Sequence, residues 1–372
     1  MSIEQFKNHF YSGENFVHLN NSGQAPIPAV NRDLAQKWLN RLYSEGAFCA
    51  MEGWDETDRS REKLAQFIGA ETKEVSFFQT TASALSQVAF GIPLSAGDEI
   101  LTWDQEYPSN FYPWRIAAER NRAQLVQLKS ENWQTPAKKI LERVSDKTKA
   151  VAISWVQYQT GAVTDLKELS QALRGRNIWL VADVIQGVGV RPFNFHDSGF
   201  DVICGGSHKF LCSNYGAAFM AIRKERIKEL APLEFGAMTY GNPDTEKSFL
   251  NQPKAEALRY EPGSKAMVEI IALGATLDLF TQFGIEAISR EACRLADRLR
   301  FGLKEQNFDV LSPEGPIVTF APKSSLDLER LSQKLTDANI SFARRGPGFR
   351  LSTHAFNRDS DIDRALKCLA SK

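Results

Sequence analysis

The sequence predicts an α/β fold: a large domain with a mostly parallel sheet covered by helices on both faces, then a smaller C-terminal α+β domain. Three observations predict it. Short β-rich runs alternate with helical patterns from about residue 75 to 230, which is how parallel strands joined by crossover helices read. From about 231 to 262 the pattern turns irregular and rich in Gly, Pro and aromatic residues. At 372 residues the chain also exceeds one ordinary core, so two domains are expected.

The strand candidates are Val75–Phe78, Glu99–Thr102, Gln124–Gln127, Ala150–Ser154, Ile178–Ala182, Asp201–Ile203 and Ala217–Ile222. Helix signals lie between them. Thr135-Pro136 reads as an N-cap with proline at the first helical position, and Asp165 opens Leu166–Leu173. A long amphipathic helix is expected from Ala266 to about Phe283, where Gly284 stops it. The remainder reads as helix 285–305, strands near 308–320, helix 325–338, strands near 341–351 and helix 359–370. The expected partition is an N-terminal segment, 1–20, packing with the small domain, a large domain, 21–262, and a small one, 263–372.

Composition narrows the function classes. The chain is 43% hydrophobic and 24% charged with a formal net charge of zero, so it carries no electrostatic footprint for nucleic acid or an anionic membrane. The N-terminus carries an acid and no apolar run follows it, so no secretory signal is read. No apolar stretch approaches the ~20 residues of a membrane span. The five cysteines are scattered and never form C-x-x-C, which points to free thiols in a reducing cytoplasm. Cys204, His208 and Cys212 fall four apart, but Gly205-Gly206 argues against the helix that would align them, and no metal site is expected.

The pair that carries chemistry is Asp183, at the end of the run Ile178–Ala182, and Lys209, just past Asp201–Gly205. A carboxylate at one strand end and an amine at a neighbouring one suit pyridoxal phosphate: the lysine forms a Schiff base and the carboxylate keeps the pyridine nitrogen protonated. Gln79-Thr-Thr-Ala-Ser-Ala84 opens a helix directly after a strand, where free N–H groups and hydroxyls make a phosphate cradle or an ordinary N-cap. In Glu106-Tyr-Pro-Ser-Asn110, Tyr107 has the position to lie against an aromatic ring, while Ser109 reads as a helix cap. Gln157 has a side-chain amide able to donate to the phenolate oxygen of the cofactor. All these positions fall at the carboxyl ends of expected parallel strands, where open α/β sheets bind ligands.

Asp183-x-x-Gln186, Ser207-His208-Lys209, the Thr/Ala/Ser turn, Glu106–Asn110 and Arg350-Leu-Ser-Thr-His-Ala-Phe-Asn357 together resemble the class V aminotransferase family. That group of fold-type-I, pyridoxal-phosphate-dependent enzymes also holds cysteine desulfurases, selenocysteine lyases and isopenicillin-N-epimerase-like enzymes. The resemblance runs from Leu19-Asn-Asn-Ser-Gly23 to Asn357. It implies that Lys209 is the Schiff-base lysine and proton carrier, that Asp183 pairs with the pyridinium, and that Tyr107 stacks on the ring. Gln157 and Gln186 would contact the phenolate oxygen or the lysine. Thr81, Ala82, Ser83, Ser207 and His208 would surround the phosphate. Arg350 would hold the substrate α-carboxylate, with Asn21, Ser22 and Gly23 bordering the substrate. Glu261-Pro-Gly-Ser264 resembles a segment that brings Ser264 to a neighbouring subunit's phosphate, which implies a homodimer with shared sites.

Several positions depart from the family pattern. Tyr107 stands where His is frequent, Ala82 replaces a phosphate-binding Thr, and Gly206 stands where Ser is frequent. No cysteine lies in Ser341–Gly348, where one desulfurase branch carries its persulfide-forming residue. Arg344-Arg345 reads as a solvated basic turn, with recognition of a second acidic group on the substrate as the alternative. The function expected is that of a cytoplasmic enzyme on an α-amino acid, best an aminotransferase. The alternatives are a C–S or C–Se lyase, a desulfurase-like enzyme or an epimerase. A non-catalytic binding protein would be marked by loss of Lys209 or Asp183, and both are present.

Overall fold

A computed structural model describes residues 2–11, 15–240, 252–324 and 328–370. The expectations for 241–251 and 325–327 lie outside these residues.

The chain opens with α1 (Ile3–Lys7), boxed by Ser2 and Gln5, and β1 (Val17–His18). Two long helices follow, α2 (Ala29–Glu45) and α3 (Ala50–Ile68). Gly69, in the left-handed conformation that glycine adopts without penalty, ends α3. Then come β2 (Val75–Phe78), α4 (Thr81–Gly91), β3 (Glu99–Trp103), α5 (Tyr112–Asn121), β4 (Gln124–Leu128) and α6 (Ala137–Arg143). The alternation continues through β5 (Thr148–Ser154), α7 (Leu166–Ala172), β6 (Trp179–Asp183), α8 (Phe195–Ser198), β7 (Val202–Gly205) and β8 (Ala218–Ile222).

These strands form one sheet in the order β2-β8-β7-β6-β5-β3-β4. Every residue of β3, β6, β7 and β8 is buried, because helices cover both faces and no polar side needs to alternate. One strand departs from the expected parallel run. β8 pairs antiparallel with both β7 and β2. The segment between β7 and β8 contains no helix to carry the chain across the sheet, so the next strand returns in the opposite sense.

Three local expectations are corrected. Pro136 is extended (φ −68°, ψ 131°) and precedes α6 as its cap, so neither it nor Thr135 fills the expected position; the Thr135 hydroxyl instead meets Thr164 Oγ1 at 2.9 Å. Ser109 lies in a short 3-10 turn, and Phe111, not Ser109, precedes α5. The helix α9 (Met267–Phe283) is not amphipathic: it packs against α2 and α3 and exposes only Asp278, Thr281 and Gln282. A helix sandwiched in this way is apolar nearly all round.

The last part contains α10 (Ile285–Glu305), β9 (Asp309–Val310), β10 (Ile317–Ala321), α11 (Leu328–Asp337), β11 (Ile340–Ser341), β12 (Ala343–Arg345), β13 (Gly348–Ser352) and α12 (Asp359–Leu369). β12-β13-β10-β9 is an antiparallel sheet. Leu295, Leu299, Phe320, Leu351 and Ile362 form its core with the helices. The N-terminal strand β1 pairs in parallel with β11, and Phe6 of α1 sits edge-on to Phe280 at 5.6 Å.

Among the described residues no single helix is long and apolar enough to cross a membrane. The pair α9 and α10 reaches that length only together, across a bend of 84°.

Candidate active site

Register brings the carboxyl ends of three strands into a row. Ser154 closes β5 opposite Asp183 of β6, and Asp183 stands opposite Cys204 of β7. Asp183 is buried. Its Oδ1 accepts the Ile185 N–H at 2.9 Å, and its other oxygen takes no protein donor among the described residues. Burial pushes its pKa up to about 6, against the Ile185 N–H and the Lys209 charge, which both favour the carboxylate.

Lys209 follows β7 in a turn held by the bonds Ser213 N–H to Ser207 O and Cys212 N–H to Lys209 O. Its Nζ lies 5.5 Å from the centroid of the Tyr107 ring. Burial pulls its pKa down to about 8; Asp183 opposes the shift, and Arg350 and Arg345 add to it. Tyr107 meets Tyr158 edge-on at 5.0 Å, so the aromatic ring faces the lysine with a second ring behind it.

The amino end of α4 lies beside this pair. Thr80 caps it: its Oγ1 accepts the Ser83 N–H at 3.0 Å, while Ser83 Oγ donates to Thr80 O at 2.8 Å. The Ser83 hydroxyl is therefore occupied by the cap. The N–H groups of Thr81 and Ala82 remain unpaired among the described residues, and the buried Thr81 Oγ1 has no partner. A Cβ placed on Gly206 would stand 2.7 Å from Thr81 Oγ1 and 2.9 Å from Ile185 Cδ1. Glycine at 206 keeps that concavity open, which gives a physical reason for the departure from Ser. Ser207 Oγ donates to Asn214 O at 2.5 Å, so its proton points away from the concavity. His208 stacks on Tyr215 at 4.5 Å, and burial holds its pKa down to about 4, leaving it neutral.

Gln157 is fully buried. Its Nε2 donates to Glu106 Oε1 at 2.9 Å, and its Oε1 has no partner among the described residues. Gln186 Nε2 donates to Ser22 O at 3.0 Å, again leaving a buried, unpartnered Oε1. Arg350 reaches in from β13. Its NH1 group donates to Tyr158 O at 2.5 Å and its NH2 group to Asn20 Oδ1 at 3.4 Å, while its Nε is buried without a partner. Burial first, and Arg345 second, pull its pKa down to about 9.

Asn21 and Ser22 fasten this segment to the end of β13, through Asn21 Nδ2 to Ser352 O at 2.7 Å and Ser22 Oγ to Ser352 Oγ at 2.9 Å. Gly23 makes room for Asn20, since a Cβ there would stand 2.7 Å from Asn20 Nδ2. Ser264 is exposed and lines a cavity of about 380 Å³ with Gln79, Ser83 and Ser86.

The structure thus gathers Lys209, Asp183, Tyr107, Thr81, Ala82, Gln157 and Arg350 around one edge. Two contributors were not anticipated. Glu106 holds Gln157, and Tyr158 holds Arg350 through its backbone; each lies in a loop just after a strand end, with no spacing to mark it. Unpartnered polar atoms at Thr81, Gln157, Gln186 and Arg350, together with a concavity that one Cβ would fill, fit an anionic, ring-bearing cofactor.

The profile of the aminotransferase class-V family matches residues 18–346. An uncharacterized aminotransferase, YcbU, of Bacillus subtilis is 22% identical over 99% of this chain and 98% of its own length. A probable cysteine desulfurase of Methanothermobacter thermautotrophicus is 25% identical over 76% of this chain and 71% of its own. The apo cysteine desulfurase of Thermococcus onnurineus has the same fold, with a TM-score of 0.89 at 19% identity, covering 99% of this chain and 97% of that one.

Proposed function

The chain belongs to the class V aminotransferase family, and from that premise we propose a pyridoxal-phosphate-dependent enzyme that transaminates an α-amino acid. The observation that carries the reading is the placement of Lys209 and Asp183 at adjoining strand ends, within electrostatic reach of each other and beside the open amino end of α4. When bound, pyridoxal phosphate supplies an aldehyde that captures an amine and a protonated ring that draws electrons from the substrate's Cα–H bond.

Asp183 would offer its carboxylate to the ring nitrogen. Thr81 Oγ1 and the N–H groups of Thr81 and Ala82 supply donors for a phosphate at a helix amino end. Tyr107 gives a flat apolar face. Lys209, with a pKa near 8, exists in both protonation states close to neutral pH, as a group that takes a proton from Cα and returns it must. The free Nε of Arg350 and the plane of its guanidinium suit a substrate carboxylate.

Transamination needs only that one proton carrier. β-Elimination at a C–S bond is the second reading, favoured by the desulfurase relatives. A cysteine nucleophile fits less well: Cys204 and Cys212 are buried, and burial raises both thiols.

We further propose the partition into 1–20, 21–262 and 263–372, a cytoplasmic location and a homodimer. Leu39, Tyr43, Phe48 and Met51 of the α2–α3 region are exposed, Phe48 to 95%, and such an apolar surface suits a partner chain.

The test is to load the protein with pyridoxal phosphate and add amino acids singly while recording its absorption. Loss of the aldehyde band on adding an amino acid, restored by a 2-oxo acid, is the expected result. Pyruvate and sulfide from cysteine would instead establish the lyase, and a protein that takes up no cofactor would defeat both readings.

A further inference from the structure

The hairpin β12–β13 carries a second cation into the site. In its antiparallel register Ala343 pairs with Arg350 and Arg345 with Gly348. Paired residues share a face, and so do residues two apart, so Arg345 and Arg350 project from the same side of the sheet. Gly348, opposite Arg345, puts no side chain between them. Arg344 points to the other face, where it pairs with Glu329 at 2.7 Å and covers the Phe349 ring. The expected solvated basic turn thus describes Arg344 alone.

Arg345 is half-buried. Its guanidinium lies 5.8 Å from the centroid of the Tyr158 ring, and its Nε is buried without a partner. The same Tyr158 holds Arg350 through its carbonyl and meets Tyr107, over which Lys209 lies. Among the described residues no carboxylate pairs with either arginine. Two guanidinium groups held near each other without an anion repel; the Arg350 pKa is lowered by burial first and by Arg345 second. One carboxylate on Arg350 leaves Arg345 with a backbone bond, from its NH1 group to Arg344 O at 2.8 Å, but with no anion among the described residues.

We infer that Arg345 recognises a second anionic group, a carboxylate on the side chain of the amino-acid substrate, while Arg350 holds the α-carboxylate. The inference rests on the proposed function and names its substrate class: dicarboxylic α-amino acids ahead of neutral ones. Arg345 is then a specificity residue and takes no part in the proton transfer.

The experiment titrates the cofactor-loaded protein with L-glutamate, L-aspartate and L-alanine, reading the apparent Kd from the absorption change, in the wild type, R345A and R345K. A charge-assisted pair is worth about tenfold to a hundredfold in affinity. The ratio of Kd for alanine to that for glutamate or aspartate is expected to fall by about that factor in R345A, with R345K in between. A wild type that shows no preference for the acidic amino acids, or an R345A variant with the wild-type ratio, would overturn the inference. If no amino acid changes the absorption, the proposed function fails, and calorimetric binding of succinate against propionate still decides the role of Arg345. Preference for succinate, lost in R345A, upholds it; equal binding of the two acids sinks it.

Discussion

Glu106 and Gln157 are joined by a bond of 2.9 Å from Gln157 Nε2 to Glu106 Oε1, inside a network in which, among the described residues, the carboxylate has no cationic partner. Glu106 also accepts from Ser154 N at 2.8 Å, Ser154 Oγ at 2.5 Å and Asn110 Nδ2 at 2.8 Å. The Trp114 indole donates to Asn110 Oδ1 at 3.2 Å, which fixes the orientation of that amide. The position of Gln157 is therefore set from behind, by a residue that does not itself line the site.

Burial pushes the Glu106 carboxyl up to about 7, against the four donors that favour its charge. The folded state thus binds this proton more tightly than the unfolded one. Its contribution to stability is complete below about 4.5, the ordinary value, and is lost as the pH rises through about 7. The linkage is on the order of 3 kcal/mol. Urea unfolding of wild type and E106Q from pH 4 to 8 should show the stability gap between them narrowing as pH rises. A gap of constant size would count against the assignment.

Asp183 and Lys209 titrate each other. Asp183 is the one neighbour that raises the Lys209 pKa, against burial and two arginines that lower it. D183N should therefore move Lys209 below about 8, by about one unit or more. The pH dependence of reductive methylation at Lys209, followed by peptide mass, measures this, and an upward shift would contradict the geometry. K209A should lower turnover by at least about a hundredfold, as expected for loss of a proton carrier.

Gly206 keeps open the concavity beside Thr81. The methyl group of G206A would meet Thr81 Oγ1 at 2.7 Å and Ile185 Cδ1 at 2.9 Å, and neither is the end of a long flexible chain. Cofactor affinity, measured by fluorescence quenching, should weaken by about fivefold to a hundredfold, matching the about 1–3 kcal/mol typical of overpacking. T81V should weaken it less, since the N–H groups of Thr81 and Ala82 remain. Unchanged affinity in G206A would place the phosphate elsewhere.

Much of this was legible in the chain. Strand runs such as Val75–Phe78 and the helix opened by Asp165 appear at the expected places, because period and cap chemistry are local. The direction of β8 was not legible, since it depends on what the β7–β8 connection fails to contain. The burial of α9 was misread because a helix packed by two others loses its polar face only in tertiary context. At the site, Lys209 and Asp183 announced themselves by residue type and spacing. Glu106 did not: its role comes from Ser154 and Gln157, both more than forty residues away in sequence. Arg345 is half-buried where Arg344 is exposed, a difference the sequence does not carry because only the hairpin register separates the two.

Glu261 provides the contrasting titration. Its Oε1 accepts from Phe77 N at 2.7 Å and from the Arg61 NH1 group, and its Oε2 meets Arg61 NH2 at 3.0 Å and Lys265 Nζ at 2.7 Å. Burial alone would raise its pKa, but Arg61 and Lys265 outweigh it and hold the carboxyl below its ordinary 4.5. Here the folded state prefers the charged form, so the stabilisation is present above about 4.5 and is lost as pH falls through the lower folded value. The direction is opposite to that of Glu106. E261Q leaves the buried Arg61 with only the exposed Asp58 carboxylate, at 3.4 Å, as a counter-charge and should cost about 3 kcal/mol at pH 7 by urea unfolding. The deficit should shrink toward pH 3. E261Q also frees the start of the turn that carries Gly263 and Ser264, so sedimentation at equal folded fraction should show a weakened dimer if that turn contacts a partner chain. A full stability loss with unaltered association would confine Glu261 to holding β2 against α3.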